Sequence, residues 1–313
     1  MTAGEIIYQL WYRPLGSIRA LCAEGGPWEQ WKTTRGRSAM IQSITKLKPI
    51  ELNQSDDPNN ASLHFLSGHS YWFQTAFCLH SFLQHSPFRG KVFLHDDGTM
   101  MQNQLATLRR LFPGIEYISA VDNHDRILSK LPESKFPHLH ERLSNFPLMK
   151  KILFIHTCHP GWNLFFDSDQ LFFNEPTELN QWIQKPDRPI HAIDSDYAYG
   201  YTYSELLRII RKNHIPEQLN TGIHGLHHKE IDWEGLESWC SKLMTQFGAH
   251  YFMEQAMIAM IIGDQDALAL SATDYIVHPQ LPEAEGCSAV LHHYVADSKK
   301  WYFRENWKRV FST

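Results

Sequence analysis

From about residue 62 to the C-terminus, short continuous runs of apolar residues alternate with segments in which apolar residues recur every three or four positions. Short apolar runs predict strands in SLHFLS (62–67), GKVFLHDDG (90–98), IEYIS, NLFFD, PIHAID, LNTGIHGL and SAVLHHY. Intervals of three and four predict helices in SYWFQTAFCLHSFLQHS (70–86), MMQNQLATLRRLF, HERLSNFPLMKKILFIHT, SELLRIIRK, LESWCSKLMTQF and EQAMIAMIIG. Strands that alternate with helices indicate an α/β fold, with a mixed, mostly parallel sheet flanked by helices.

The first 60 residues lack this regularity. They have no clear periodicity, and ELNQSDDPNN (51–60) is polar and rich in turn-forming residues. The sequence therefore predicts an N-terminal extension over residues 1–60, to which it assigns no role, and one α/β domain over residues 61–313. The aromatic segment WYFRENWKRVF (301–311) predicts that this domain ends in a C-terminal helix.

The composition argues against several classes of protein. Of 313 residues, 43% are hydrophobic and 13% aromatic, as in a globular chain, and a net charge of −5 argues against a nucleic-acid binder. No apolar run approaches the roughly 18 residues of a membrane span, and the N-terminus lacks the basic start of a signal peptide. Five cysteines without any CxxC suit a reducing compartment. We therefore expect a cytoplasmic protein, for which peripheral contact with a membrane stays open.

Histidine is frequent, with 19 copies, and HTCHPGW places His156, Cys158 and His159 close together. This spacing matches no ordinary zinc site, and HExxH does not occur in the chain. We therefore predict that most histidines are surface residues, or core residues with satisfied hydrogen bonds.

The most informative stretch is NLFFDSDQLFF (163–173), in which Asp167 and Asp169 follow a strongly apolar run. Burying unpaired carboxylates costs several kcal/mol, so these two require a compensating partner or an exposed turn. A solvated Asx-turn is one interpretation, and a divalent metal ion that carries phosphate on its far side is the other. The same DSD triplet recurs at 194–196, so the motif alone does not identify the copy that binds metal.

Acidic residues recur where predicted strands end, at 96–97, 167–169 and 194–196. The carboxyl ends of parallel strands share one edge of a sheet, so these acids are expected to line a common crevice. Neither GxGxxG nor GxxxxGK[ST] occurs in the chain, and a carboxylate-held cation is the obvious alternative means of binding phosphate.

The chain also resembles a known group of enzymes. FFDSDQLFF, LNTGIHGL (219–226), MEQAM (253–257) and HYVADSKKW (293–301) follow the order of the motifs of GT-A-fold glycosyltransferases, specifically the retaining family 8 of glycogenin-like and bacterial galactosyl- or glucosyltransferases. That family has an aromatic strand before DxD, then FN[SA]G, an acid-Gln pair and HxxGxxKPW. The resemblance spans about residues 62 to 302 and implies a GT-A, Rossmann-like fold. The chain departs from the family pattern at Leu219, Thr221, Glu254, Ala296 and Lys300.

The resemblance implies a metal site for Mn²⁺ or Mg²⁺ formed by Asp167, Asp169 and His293. Two carboxylates, one imidazole and diphosphate oxygens suit the octahedral geometry of Mn²⁺. His292 is an alternative to its neighbour, but the spacing to Lys299 and Trp301 favours His293.

The remaining site residues are also carried over by the resemblance. Gln255 and Asp194 are the catalytic candidates, for a transfer that retains the anomeric configuration. The candidates for binding the nucleotide sugar are Asp97, Lys150, Asp167, Ser168, Asn220, Gly222, Glu254 and Lys299. The implied donor is a UDP-hexose, and the acceptor is a glycan, a lipid-linked group or a protein.

Two rival functions remain open. A nucleotidyltransferase of sugar phosphates carries a GxGxR-type loop after its first strand, whereas LSGHSYWF (66–73) follows the first strand here. A catalytically silent carbohydrate- or nucleotide-binding protein is the second rival. The sequence favours a glycosyltransferase over both, because the implied metal ligands occur together.

Overall fold

The computed structural model describes residues 26–53 and 61–311. Its strands are β1 Ser62–Ser67, β2 Val92–Asp96, β3 Glu116–Ile118, β4 Trp162–Phe166, β5 Gln170–Phe172, β6 Ile190–Ile193, β7 Leu219–His227, β8 Leu268–Ala269, β9 Tyr275–Val277 and β10 Leu291–His293. Its α-helices are α1 Pro27–Ser43, α2 Trp72–His85, α3 Gln102–Leu111, α4 Ala120–Lys130, α5 Pro137–Asn145, α6 Lys150–His156, α7 Thr177–Gln184, α8 Tyr203–Ile210, α9 Trp233–Phe247, α10 Met253–Ile262, α11 Leu281–Gly286 and α12 Lys299–Arg304.

Seven of these strands form one mixed sheet in the order β3-β2-β1-β4-β7-β6-β8. β7 runs antiparallel to both of its neighbours, and the other adjacent pairs are parallel. The predicted α/β fold with a mixed, mostly parallel sheet is confirmed. A second sheet of three short strands, in the order β5-β10-β9, brings the segment after the first DSD triplet beside the C-terminal HYVADSKKW segment.

Buried apolar clusters cover both faces of the main sheet. β1 and β4 contribute Leu63, Phe65, Leu164 and Phe166 to the cluster that also contains α2 residues. The other cluster contains buried residues of α5, α6, α8, α9 and α10. Every residue of α10 is buried, which explains its continuous apolar sequence and fixes the position of its first turn.

Proline separates two helices in the segment HERLSNFPLMKKILFIHT. Pro147 begins a 3₁₀ turn, Pro147–Met149, between α5 and α6. The predicted C-terminal helix is shorter than expected, since α12 ends at Arg304 and a 3₁₀ segment, Asn306–Phe311, follows.

The N-terminal region contains a helix that the sequence did not indicate. Only Met40 and Ser43 are buried in α1, so its apolar residues do not form a recognisable stripe. Met40 belongs to the same core cluster as β1, and Arg304 of α12 forms an ion pair with Glu29 at 2.5 Å. The boundary predicted at residue 60 lies outside the described residues and stays a prediction. Within residues 26–53 and 61–311, none of the helices combines the length and apolarity that a membrane span requires.

Candidate active site

The first DSD triplet forms a turn rather than a continuation of its strand. β4 ends at Phe166 and β5 begins at Gln170, so Asp167 and Asp169 lie in the connection between two sheets. The carbonyl oxygen of Gly222 on β7 accepts hydrogen bonds from the Asp167 amide at 2.8 Å and from the Gln170 side chain at 2.7 Å. These bonds hold the turn in place, and both carboxylates reach the same cleft.

Ser168, between the two aspartates, turns toward the protein. Its hydroxyl lies 2.8 Å from the Thr75 hydroxyl on α2, which in turn donates to Ser67 at the end of β1. The serine therefore fastens the turn to the rigid part of the domain, although it also contributes to the cleft wall.

His293 ends β10 and faces the two aspartates. Its Nε2 lies 3.2 Å from an oxygen of Asp169 and 3.9 Å from one of Asp167. The three residues form a group whose ligand atoms lie within 4.8 Å of one another. Gly222 is required beside this ring, because a Cβ there would lie 2.3 Å from His293 Cε1.

The hydrogen bonds of Asn220 show that Nδ1 of His293 carries a hydrogen. Asn220 donates through Nδ2 to Asp194 at 2.9 Å and accepts through Oδ1 from the Gly222 amide at 2.8 Å. Oδ1 therefore also accepts from His293 Nδ1, at 3.1 Å. Two acceptors would repel each other here, so Nε2, 3.2 Å from the Asp169 carboxylate, must either donate a hydrogen to it or bind a metal ion that the carboxylate also binds. The donor set and its outer partner thus fit a divalent ion.

Two lysines compensate the same carboxylates. Lys151 on α6 donates to Asp167 at 2.7 Å, and Lys299 at the start of α12 lies 3.0 Å from Asp169. Burial favours neutral Lys151, yet the charges of Asp167 and Glu254 outweigh it and raise the lysine's pKa. Burial also opposes ionisation of Asp169, but the His293 hydrogen bond and the Lys299 charge lower its pKa. Both charged forms therefore persist at neutral pH.

Lys151 is the functional candidate that sequence reasoning missed, because the neighbouring Lys150 was chosen instead. Lys150 also reaches the cleft, where its ammonium donates to the Asp97 carbonyl at 2.7 Å. The Asp97 carboxylate caps its own turn by accepting from the Thr99 amide and hydroxyl. The run FPLMKK offered both lysines, and nothing in the sequence distinguished which one would reach the DSD turn.

Glu254 lies in the buried first turn of α10 and is 2% exposed. One of its carboxyl oxygens has no hydrogen-bond partner within the described residues, and the other lies 3.4 Å from the Thr221 hydroxyl. Burial raises the Glu254 pKa to about 7, and nearby Lys151 only partly opposes the shift. A carboxyl with spare hydrogen-bonding capacity at a cleft wall can bind a ligand hydroxyl group.

The second DSD triplet has different partners. Asp194 follows β6, and its Oδ2 accepts from both Asn220, at 2.9 Å, and Gln255, at 3.0 Å. Gln255 also donates to the Ala198 carbonyl at 2.9 Å. Asp196 lines the cleft but does not belong to a group of three metal-ligating side chains among the residues described. The structure thus brings the two catalytic candidates into direct contact, and the metal-ligand geometry lies at the first triplet.

These side chains line one cleft of about 1010 Å³ at the carboxyl edge of the sheet. It includes every predicted site residue except Gly222, which lies behind His293: Asp97, Lys150, Asp167, Ser168, Asp169, Asp194, Asn220, Glu254, Gln255, His293 and Lys299. A cleft of this volume is at the upper end of the range for small-molecule sites.

The C-terminal segment turns sharply at a residue where it departs from the family pattern. Ala296, which stands where the pattern has glycine, has φ 47, a left-handed conformation that glycine adopts without strain. Because the alanine accepts this conformation, the chain still turns back so that Lys299 reaches Asp169.

If Asn220 orients His293, removing its side chain will weaken metal binding. We expect Asn220→Ala to lower Mn²⁺ affinity by about 10- to 100-fold, as is usual for a hydrogen-bond partner of a metal ligand. Isothermal titration with Mn²⁺ in the presence of UDP measures this, with circular dichroism to establish folding. Affinity within twofold of the unmodified protein would contradict the role of Asn220.

Comparison with known proteins identifies the fold. No family model matches the sequence, and no curated protein matches it. Among solved structures, mouse xyloside xylosyltransferase 1 superimposes with a TM-score of 0.51 at 14% identity, over 80% of this chain and 99% of that one. LgtC, a galactosyltransferase solved with donor and acceptor sugar analogues, gives 0.50 at 11% identity, over 80% of this chain and 94% of that one. WbbM, a bifunctional glycosyltransferase, gives 0.50 at 12% identity over 84% of this chain, which spans 53% of WbbM.

The chain has the GT-A fold of glycosyltransferases, as its sequence predicted. Within that class it is similar in fold to the family 8 enzymes that LgtC represents.

Proposed function

We propose that the protein is a metal-dependent glycosyltransferase that moves a hexose from a nucleotide sugar, with UDP as the nucleotide, to an acceptor hydroxyl. The observation that carries this proposal is the convergence of Asp167, Asp169 and His293 on one point of the cleft. In a GT-A fold, this convergence lies at the sheet edge where ligands of α/β proteins bind.

Asp167, Asp169 and His293 would hold Mn²⁺ or Mg²⁺. When bound, the ion supplies positive charge that offsets the charge developing on the leaving diphosphate. Lys299 adds a second charge there, and its side chain, 40% exposed, has room to move from Asp169 to a phosphate oxygen. Lys151 is buried and forms an ion pair with Asp167 at 2.7 Å.

The polar side chains of the cleft wall support binding of a sugar. Glu254, Asn220 and Asp194 present carboxyl and amide groups to the cleft, and such groups bind hydroxyls. Gln255 and Asp194 share a hydrogen bond, which supports a common role in stabilising the reacting sugar. Retention of the anomeric configuration is proposed on the resemblance to family 8. Closure of the cleft around these groups would exclude water that otherwise hydrolyses an activated sugar.

A nucleotidyltransferase is less well supported. The one glycine that follows β1, Gly68, is needed for close approach, since a Cβ there would lie 2.0 Å from the Asp97 carboxylate. The segment therefore packs against the protein and does not resemble a glycine-rich phosphate loop. A catalytically silent binding protein is the remaining alternative, and turnover measurements distinguish it.

We propose that the acceptor is a glycan, a lipid-linked group or a protein. The exposed aromatic side chains of Tyr197, Tyr251 and Phe252 at the cleft wall could contact it. A cytoplasmic location fits the four cysteines within the described residues, which are all free, whereas Cys22 lies outside them. Peripheral contact with a membrane is compatible with all three kinds of acceptor.

Metal and nucleotide together should stabilise the folded protein, because each binds the native state. At a ligand concentration 100 times Kd, binding raises the free energy of unfolding by about 2.7 kcal/mol. We therefore expect saturating Mn²⁺ with UDP to raise the melting temperature by several degrees. Differential scanning fluorimetry measures the shift, and Asp169→Asn should abolish it. An unchanged melting temperature of the parent protein would count against the site.

Loss of the Lys299 charge should slow the transfer step. We expect Lys299→Ala to lower kcat by a factor on the order of 10², because a group that stabilises the leaving diphosphate is removed. Lys300→Ala is the matched control, since Lys300 pairs with Asp297 at 2.9 Å and is absent from the cleft wall. If steady-state kinetics show kcat of folded Lys299→Ala within a few-fold of the control, Lys299 does not act on the leaving group.

A further inference from the structure

A second group of metal-ligating side chains lies away from the cleft, against the face of the main sheet that α4 and α6 cover. His64 on β1 and His95 on β2 are both fully buried, and His64 Nδ1 lies 3.0 Å from His95 Nε2. Cys158, just after α6, completes the group, in which all donor atoms lie within 4.8 Å of one another. No residue of this group lines the cleft described above.

Hydrogen bonds fix the tautomer of His95. Asn123 Oδ1 accepts from the Arg126 guanidinium, and Asn123 Nδ2 donates to the Ile118 carbonyl at 3.4 Å. His95 Nδ1, 2.9 Å from that Oδ1, must therefore carry the hydrogen. The neutral imidazole consequently presents an Nε2 lone pair to His64, as a metal-ligating histidine does when a polar partner holds its other nitrogen.

His64 can adopt either of two tautomers. If Ser62 donates its hydroxyl hydrogen to His64 Nε2, 2.8 Å away, then His64 Nδ1–H donates to His95. If Ser62 instead donates to the Trp162 carbonyl, 3.3 Å away, His64 Nε2–H donates to Ser62 and Nδ1 becomes a second lone pair. Rotation of one hydroxyl thus converts a proton-bridged histidine pair into two adjacent nitrogens that each carry a lone pair.

We propose that His64, His95 and Cys158 bind a borderline-soft divalent ion of the Zn²⁺ type, at a site separate from the nucleotide-sugar cleft. Two imidazole nitrogens and one thiolate match the donors that zinc prefers, whereas Mg²⁺ and Mn²⁺ prefer oxygen. In tetrahedral zinc sites the metal–nitrogen bond is about 2.0–2.1 Å and the metal–sulfur bond about 2.3 Å, which places donor atoms roughly 3.3–3.6 Å apart. The 3.0 Å separation of the two nitrogens needs only a small expansion to reach that value.

Binding of this ion would require only one of its three ligands to lose a proton. Both imidazoles are neutral, since burial lowers the pKa of His95 to about 3 and that of His64 well below its usual value. Burial raises the pKa of the Cys158 thiol to about 11, and the positive charge of Arg126 partly opposes that shift. Binding therefore releases one proton, from sulfur, while His64 only changes tautomer. Cys158 is partly exposed, so solvent can supply the fourth ligand.

A neighbouring histidine pair shows what distinguishes this group. His156 and His224 approach with their Nε2 atoms 3.3 Å apart. Within residues 26–53 and 61–311, however, this pair belongs to no group of three metal-ligating atoms. The thiol of Cys158 supplies the third metal-ligating atom beside His64 and His95, and the pair of His156 and His224 lacks such a third ligand in the part of the chain that the structure describes.

Cobalt(II) provides a spectroscopic test, because a thiolate ligand produces a charge-transfer absorption that oxygen and nitrogen ligands do not. We expect the full protein to develop this band on titration with Co²⁺, and we expect Zn²⁺ to bleach it. Cys158→Ser should abolish it. Cys240→Ser, which removes a buried thiol in α9, and Cys78→Ser, beside the DSD turn, should leave it unchanged.

Absence of the band in the folded parent protein, or its survival in Cys158→Ser, would overturn the proposal. A second measurement needs no variant: Zn²⁺ should slow alkylation of Cys158 by iodoacetamide by about tenfold or more, because a metal-bound thiolate is shielded. Peptide mass spectrometry gives this rate for each cysteine. Equal rates with and without Zn²⁺ would show that the two histidines form only a satisfied core contact.

Discussion

Asp169→Asn is expected to lower kcat for sugar transfer by a factor on the order of 10³, while the protein stays folded. The substitution keeps the side-chain volume but removes the negative charge that faces His293 and Lys299. The metal ion and the leaving diphosphate would then lose their common anchor. Steady-state kinetics with a UDP-hexose donor measure the effect.

Asp196→Asn is the matched control, because it alters the third residue of the other DSD triplet. Asp196 is exposed and contacts the neighbouring Ser195 hydroxyl at 3.3 Å. We expect this variant to keep appreciable activity. An inactive Asp196→Asn together with an active Asp169→Asn would reverse the assignment of the two triplets.

Acidification is expected to destabilise the fold between about pH 6.5 and pH 3. Burial lowers the pKa of both His95 and His224 to about 3, whereas the unfolded chain titrates near 6.5. Within this window the unfolded state binds protons that the folded state cannot, so the free energy of unfolding falls as pH falls. At pH 5 each histidine lowers it by about 2 kcal/mol, and the two together by about 4 kcal/mol.

Other buried groups modify this loss. His64 and His156, whose pKa values burial also lowers, act in the same direction. Glu254 acts in the opposite direction, because burial raises its pKa to about 7 and its ionisation therefore destabilises the fold above that pH. Protonation of Glu254 between pH 7.5 and pH 5 raises the free energy of unfolding by about 2 kcal/mol. We therefore expect a net loss of at least about 2 kcal/mol between pH 7.5 and pH 5.

Urea unfolding in EDTA at the two pH values, followed by circular dichroism, measures the loss. In His95→Gln, the pH-dependent loss should be smaller than in the parent by about 2 kcal/mol. Equal unfolding free energies of the parent at both pH values would contradict a core that contains neutral histidines.

The long elements were predictable because their apolar spacing reflects the face that each buries. The four motifs also indicated the site, since strand ends, a turn and a helix start meet at one sheet edge. The three-residue strands β5, β9 and β10 were harder to predict, because periodicity cannot be recognised over so few residues. Yet these strands bring His293 to Asp169.

Other features depend on packing that a single sequence does not encode locally. Lys150 and Lys151 are consecutive, so helical geometry points them about 100° apart, and only the position of α6 decides which one contacts Asp167. His64 and His95 are 31 positions apart and lie on two different strands. Their contact becomes visible only once β1 and β2 are paired.

Nucleotide release from a panel of nucleotide sugars tests the central claim most directly. The protein is incubated with each donor and a mixture of saccharide acceptors, with Mn²⁺ or with EDTA, and the free nucleotide diphosphate is quantified. We predict UDP release from at least one UDP-hexose that requires Mn²⁺ and is lost in Asp169→Asn. No release from any donor, or release that persists in EDTA and in Asp169→Asn, would contradict a metal-dependent glycosyltransferase.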